Sequence, residues 1–325
     1  MNKIIIASIF FTVVLMASCQ KDVDIFTPNG TTSGIDTNWI SSPISSLLIT
    51  ELKHSLVREP VIDSMNSTLG GTINTIDGLS LILTTQSLVL PNGVAATGKV
   101  YAETMLINKK GDMVKMDKPT TSNNRILISG GEVYVKFRKD AEELHLAPNK
   151  RLYLKYADPA PSAQMSVFYG DESNPNQFNW IPAHDSSEVY PNTQNPVIGY
   201  EARVGNLRWI NIDHFDDTSG QRINITASLP IDYTNANTEI YVIFRDQKTV
   251  LTMYGNPVEK KFIIGKIPVG KAVTVVSITK KGTNSYFLSH ENIITGQSGT
   301  INGQTVPLNP QPTSLPDIKL YLATL

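Results

Sequence analysis

The sequence predicts an all-β protein made of two tandem β-sandwich domains, and three observations lead there. Short apolar or alternating runs recur between turn signals. Hydroxyl and amide residues are plentiful, with 21 glycines and 19 prolines. No long amphipathic helix interrupts the series, which excludes folds of alternating strands and helices such as Rossmann or barrel enzymes. The 41% apolar and 18% charged content is that of a globular chain, and 325 residues leave room for two ordinary domains.

Residues 1–18 read as a leader rather than as part of the fold. Lys3 supplies the positive start, and Ile4 to Ala17 form an apolar stretch of 14 residues broken only by Ser8 and Thr12. A bilayer core needs roughly 20 residues, so this stretch is too short to span one. Leu15-Met16-Ala17-Ser18-Cys19 resembles the lipobox of bacterial lipoproteins, with small residues before a cysteine. It departs at Met16, where that family usually has leucine. The resemblance implies cleavage before Cys19, lipid on its thiol and anchoring to a membrane. Gln20, in place of the aspartate that favours inner-membrane retention, implies the outer membrane. The rival readings are an ordinary signal peptide followed by a chance cysteine, or a residual hydrophobic anchor. Cys19 is the only cysteine, so once lipidated it leaves no thiol for a disulfide, a zinc site or thiol catalysis.

Residues 19–46 read as a lipidated tether, because Thr27-Pro28-Asn29-Gly30-Thr31-Thr32-Ser33-Gly34 is turn-rich and has little apolar surface to bury. The first sandwich is expected over 47–185. Leu47 to Val57 fits a short helix or a lead-in strand. Strand patterns follow at Leu79–Leu83, Lys99–Leu106, Glu132–Arg138, Arg151–Tyr156 and Met165–Tyr169. Turn signals at Pro91-Asn92-Gly93, Asn108-Lys109-Lys110-Gly111 and Ser129-Gly130-Gly131 separate them. In Glu132-Val133-Tyr134-Val135-Lys136-Phe137-Arg138 the alternation is clean, with Val133, Val135 and Phe137 on one face. Asn174 to Pro196, with prolines at 175, 182, 191 and 196, reads as the joint between domains. The second sandwich is expected over 197–325, with strands at Ile223–Ala227, Ile240–Phe244, Lys261–Ile264 and Ala272–Ile278 and a hairpin at Lys281-Gly282-Thr283-Asn284. Only the tail looks helical: Ser314 and Asp317 fit a cap, Pro316 sits in the first turn, and Ile318, Tyr321, Leu322 and Leu325 share a face.

Over about residues 68–182 the chain resembles the ZU-five domain, a β-sandwich of ankyrins, zonula occludens proteins and netrin receptors, and its relatives in bacterial lipoproteins. The residues that carry the resemblance are Gly70-Gly71-Thr72, Gly78-Leu79-Ser80-Leu81-Ile82-Leu83 and Gly98-Lys99-Val100-Tyr101. The bacterial group is matched further at Gly111-Asp112-Met113-Val114, Pro119-Thr120-Thr121-Ser122 and Leu127 to Val135. The chain departs from the eukaryotic pattern at Leu83-Thr84-Thr85-Gln86-Ser87-Leu88. The resemblance implies an interaction or spacer domain without catalytic residues. Some relatives cleave themselves at His-Phe-Ser; here His214-Phe215 is followed by Asp216, which cannot perform the acyl shift.

Charge and motifs narrow the function classes. The formal charge is −1, and −2 once Lys3 leaves with the leader. There is no basic surplus for nucleic acid. Asp213-His214-Phe215-Asp216-Asp217 with Thr218-Ser219-Gly220 gathers oxygens as calcium would want, but lacks the spaced ligand series ending in glutamate; no metal and no cofactor is expected. His54, His145, His184, His214 and His290 are scattered, His290-Glu291 lacks a second histidine four residues on, and no nucleophile elbow surrounds Ser186. No catalytic residue is expected. Phe178, Trp180 and Tyr190 are candidate ligand-binding aromatics for sugar rings, with a plug at the domain junction as the alternative. The functional expectation is a lipid-anchored, non-catalytic scaffold or partner-binding protein. The alternatives are a glycan-binding lipoprotein serving an uptake system and, more remotely, a hydrolase with an unplaced carboxylate pair.

Overall fold

A computed structural model describes residues 38–175, 177–194, 197–297 and 303–325. The leader, Cys19 and most of the expected tether lie outside these residues. The protein is all-β, with two tandem sandwiches and a short C-terminal helix.

The first sandwich faces an eight-stranded sheet against a five-stranded one. The order in the larger sheet is Val61–Asn66, Lys99–Ile107, Arg125–Lys139, Arg208–Phe215, Ser166–Asp171 and Asn179–Pro182, with Thr121–Ser122 and Glu142–Glu143 also paired to Arg125–Lys139. The smaller sheet runs Glu188–Asn192, Gly199–Val204, Leu152–Ala157, Ser80–Leu83 and Gly71–Asn74. Period-two patterning builds the core between them: Val133, Val135, Phe137, Ile210 and Ile212 point inward from the large sheet, and Leu81, Leu152, Leu154, Tyr156 and Ala202 from the small one.

Several boundaries differ from the sequence reading. The expected joint at Asn174–Pro196 supplies two strands, one to each sheet. The strands Gly199–Val204 and Arg208–Phe215, expected in the second domain from residue 197, pair within the first body. Gly199–Val204 lies beside Leu152–Ala157, and Arg208–Phe215 beside Arg125–Lys139. Ser129-Gly130-Gly131 is not a turn between strands. It lies inside the single strand Arg125–Lys139, where the register shifts between Ile212 and Asp213 to form a bulge. Glycine is required there: a Cβ on Gly130 would lie 2.7 Å from the Tyr200 ring and 3.0 Å from the Ile212 carbonyl oxygen. Asn108 to Gly111 likewise leads into a short helix, Lys110–Lys115.

The second body is one eight-stranded sheet folded over itself. Its order is Gly303–Pro307, Arg222–Ser228, Lys261–Pro268, Val250–Asn256, Thr238–Phe244, Ala272–Lys281, Ser285–Ile294 and Gln311–Thr313. The fold-over occurs along Val250–Asn256, whose first half pairs with Thr238–Phe244 and whose end pairs with Lys261–Pro268. Ile223, Ile225, Val242, Phe244, Leu251, Phe262, Val273 and Val275 fill the space between the two halves.

A third apolar layer joins the bodies. Met105, Leu127, Phe168, Trp180 and Trp209 on the outer face of the large first sheet meet Tyr241, Ile243, Val276 and Ile278 of the second body. Leu52 and Leu56 of the N-terminal helix (Leu47–Leu56) enter this layer, as do Met113 and Val114 of the short helix and Ile318 and Leu322 of the C-terminal helix (Leu315–Ala323). The described residues from Asn38 to Leu325 therefore form one compact unit. All seven residues of Thr238–Phe244 are buried because alternate side chains serve two different cores. The N-terminal helix is tied to the second body by Lys53 to Glu239 at 3.4 Å and Glu51 to Lys280 at 2.7 Å. Burial raises Glu239 to about 7, against the opposing pull of Lys53.

The two short helices touch without a spacer. A Cβ on Gly111 would fall 1.6 Å from the Leu322 carbonyl oxygen. Gly111→Ala should therefore force the helices apart and cost about 1–3 kcal/mol or more of stability, as overpacking does. The urea midpoint should fall with the slope unchanged.

Candidate functional site

The three aromatics singled out from the sequence part company. Trp180 is 0% exposed, and its Nε1 donates to the Pro119 carbonyl oxygen at 3.1 Å. It cannot stack on a sugar and is a member of the layer between the bodies. Phe178 packs edge-on to Trp180 at 4.8 Å and to Trp209 at 6.1 Å, and the Lys118 ammonium covers its ring at 4.0 Å. These two plug the junction. Only Tyr190 stays open, 49% exposed.

Tyr190 lies on the solvent face of the five-stranded sheet, where the register aligns complete rows of side chains. One row is Glu188, Arg203, Tyr153, Ile82 and Thr72; the next is Tyr190, Glu201, Lys155, Ser80 and Asn74. The charges are paired within the face: Lys155 to Glu201 at 3.1 Å and Arg203 to Glu188 at 3.9 Å. The Arg203 guanidinium stands 5.3 Å from the Tyr153 ring, and the Tyr190 hydroxyl donates to Glu188 at 2.6 Å. The result is a face of paired charges carrying two tyrosines. Tyr153 was legible only as a strand residue, because a period-two pattern does not say which sheet face stays open.

The Asp213 to Thr218 segment divides between the interior and a cleft. His214, Asp216, Asp217 and Thr218 line a cleft of about 510 Å³ together with Gln164, Ser166 and Pro182, within the size range of small-ligand sites. His214 donates from Nδ1 to the Phe215 carbonyl oxygen at 3.0 Å. Asp217 pairs with Arg125 at 2.9 Å, and that guanidinium lies 3.5 Å over the Phe215 ring. Burial pushes Asp216 up, yet bonds from the Thr218 hydroxyl and amide, helped by Lys271 and Arg222, hold its carboxyl below the ordinary range. Among the described residues no three His, Cys, Asp or Glu side chains converge as metal ligands.

Asp213 points inward with Glu132, and both are fully buried. Asn211 Nδ2 donates to Asp213 Oδ2 at 2.7 Å, and Ser129 Oγ donates to Asn211 Oδ1 at 3.0 Å. Both oxygens of Glu132 and Oδ1 of Asp213 lack a hydrogen-bond partner among the described residues. Burial raises the Glu132 carboxyl well above its ordinary range, and Asp213 raises it further against the pull of Lys118. Asp213 is raised by burial as well. Glu132 looked like a solvent-side residue in a clean alternation. It is buried because the second body covers that face.

No family model, no curated protein and no solved structure matches this chain.

Two outcomes follow. A carboxyl whose folded pKa is raised contributes stability at pH values below its unfolded pKa, and that contribution is lost as pH rises through the folded value. Glu132→Gln, which fixes the uncharged form, should therefore raise the melting temperature relative to the natural chain at pH 7–8, with the difference closing towards pH 4. Trp180→Ala should lower stability by about 3–5 kcal/mol, read as a fall in the urea midpoint.

Proposed function

We propose that this chain is a membrane-anchored lipoprotein whose fused sandwiches act as a non-catalytic binding scaffold, with the open face of the five-stranded sheet as its contact surface. The anchor rests on Leu15-Met16-Ala17-Ser18-Cys19 at the end of a short apolar leader. A bacterial cell envelope, with lipid in the outer membrane, is the location this implies. The resemblance of residues 68–182 to the ZU-five domain belongs to the same proposal and supports a role in interaction or spacing. The observation that carries the scaffold reading is the apolar layer between the bodies. It packs the large aromatics and three helices against the outer face of the large first sheet, while the outer face of the five-stranded sheet stays open among the described residues.

A glycan partner is the second reading, favoured by Tyr153 and Tyr190 on that open face beside paired charges. Rings on an open sheet face can stack on sugar rings while neighbouring carboxylates and ammonium groups bond their hydroxyls.

Labelling cells with a clickable fatty acid should mark the natural chain and leave Cys19→Ala unlabelled. In a glycan array and partner pull-down with the mature chain, Tyr153→Ala combined with Tyr190→Ala should weaken retention roughly tenfold, about 1.4 kcal/mol, with an unchanged melting temperature. Equal retention by the variant would exclude this face.

A further inference from the structure

The segment 38–46, expected to be free tether, is docked on the second body. Ile40 N–H donates to Asn235 Oδ1 at 2.9 Å, and Asn235 Nδ2 returns a bond to the Ile40 carbonyl oxygen at 2.7 Å. The Trp39 ring lies 5.1 Å from the Phe262 ring, and Ser46 Oγ donates to the Ala236 carbonyl oxygen. The root of the chain's N-terminal portion is thereby fixed at one place on the body.

A groove of about 610 Å³ opens at that place, lined among others by Trp39, Leu229, Pro230, Ile231, Tyr233 and Lys261. Ile231 on its lining is 74% exposed. The adjoining turn between Val250–Asn256 and Lys261–Pro268 holds Val258 out at 90% exposure, followed by Lys260 and Lys261. The turn is shaped by Asn256, whose Oδ1 accepts from the Val258 and Glu259 amides at 3.0 and 3.1 Å. None of these bonds needs an aliphatic side chain at 258. Nearby acids offset the lysines only in part: Glu259 is in the turn, and Asp232 is already paired with Lys281.

Exposed aliphatic tips and a partly buried tryptophan beside lysines form a set that settles at a bilayer surface, apolar parts among the acyl chains and amines at the headgroups. The chain's own geometry chooses between this and other apolar occupants. Cys19 precedes Trp39 by 20 residues, a distance of at most about 70 Å however the chain runs, and the root of that stretch is the groove. We propose that this face of the second body, with Trp39, Ile231, Val258, Lys260 and Lys261, docks on the lipid surface to which the chain is tethered. This rests on the lipoprotein reading for its tether, which raises the local concentration of a face whose own affinity is modest.

The test uses the mature chain with its single thiol, Cys19, coupled to a maleimide phospholipid in vesicles of phosphatidylethanolamine and phosphatidylglycerol with brominated acyl chains. Of the three tryptophans, Trp180 and Trp209 are buried, so bromine quenching reports Trp39. The expected result is loss of about a third of the tryptophan emission, one residue of three. Trp39→Phe should abolish the quenching, as should Ile231→Asp combined with Val258→Asp, which keeps the natural melting temperature. No quenching of the coupled chain, or quenching that survives the paired aspartates, overturns the proposal. So does an emission shift caused by soluble oligosaccharides and not by lipid. Chemical coupling makes the outcome independent of native lipidation, which the intact mass of the chain purified from its own membrane reports separately.

Discussion

The structure depends on one layer of apolar contact, in which the outer face of the large first sheet meets the outer face of the folded second sheet. Sheets in a simple sandwich keep one face wet. Here the central sheet of the first body is covered on both sides, by Leu81 and Leu154 from one direction and by Ile243 and Val276 from the other. The helices are consequences of the same layer. Each is too short to be stable in isolation, and each is held by residues it contributes there: Leu52 and Leu56, Met113 and Val114, Ile318 and Leu322.

Covering that second face explains the least ordinary polar groups in the protein. Glu132 and Asp213 occupy positions that would meet water in a lone sandwich, and the second body removes the water without supplying enough donors. Replacing such groups with apolar ones is often neutral or favourable, so their presence marks a cost the fold tolerates. Each is the outward residue of its strand on either side of the bulge at Gly130. The bulge is where Ser129 and Asn211 turn their side chains into the same space.

Much of the architecture was legible in the sequence, and what was not has a common cause. Alternation located the strands around Val133, Leu152, Ile225 and Val275, and the Ser314 cap located the last helix, whose side chain accepts from the Asp317 amide. Local pattern does not report partners. Glycines at 130 and 131 look the same at a bulge as at a turn, and the prolines at 182 and 191 sit at strand positions that irregular sequence did not advertise. The domain boundary was misplaced because Arg208–Phe215 returns to a sheet whose other strands lie far earlier in the chain. The unbroken apolar run Ile240-Tyr241-Val242-Ile243-Phe244 carries a sign of burial on both faces, as does Ala272 to Ile278, whose Val273 and Val275 face one core and Val276 and Ile278 the other. Trp180 had the composition of a binding residue and the position of a core one, a difference only tertiary contact decides.

The order of layers gives the two outward surfaces a relation that neither has alone. The five-stranded sheet packs only on the central sheet, and the central sheet packs on the half of the second body formed by Thr238–Phe244 and Ala272–Lys281. The half formed by Arg222–Ser228, Lys261–Pro268 and Gly303–Pro307 packs on that one, Ile126 of the first body also reaches the core between them, and the groove at Trp39 borders this half. The face bearing Tyr153 and Tyr190 and the root of the N-terminal chain thus lie on different sheets of one unit. On the proposal of a lipid anchor and a tyrosine-bearing contact face, the apolar layer is what joins the two into one unit.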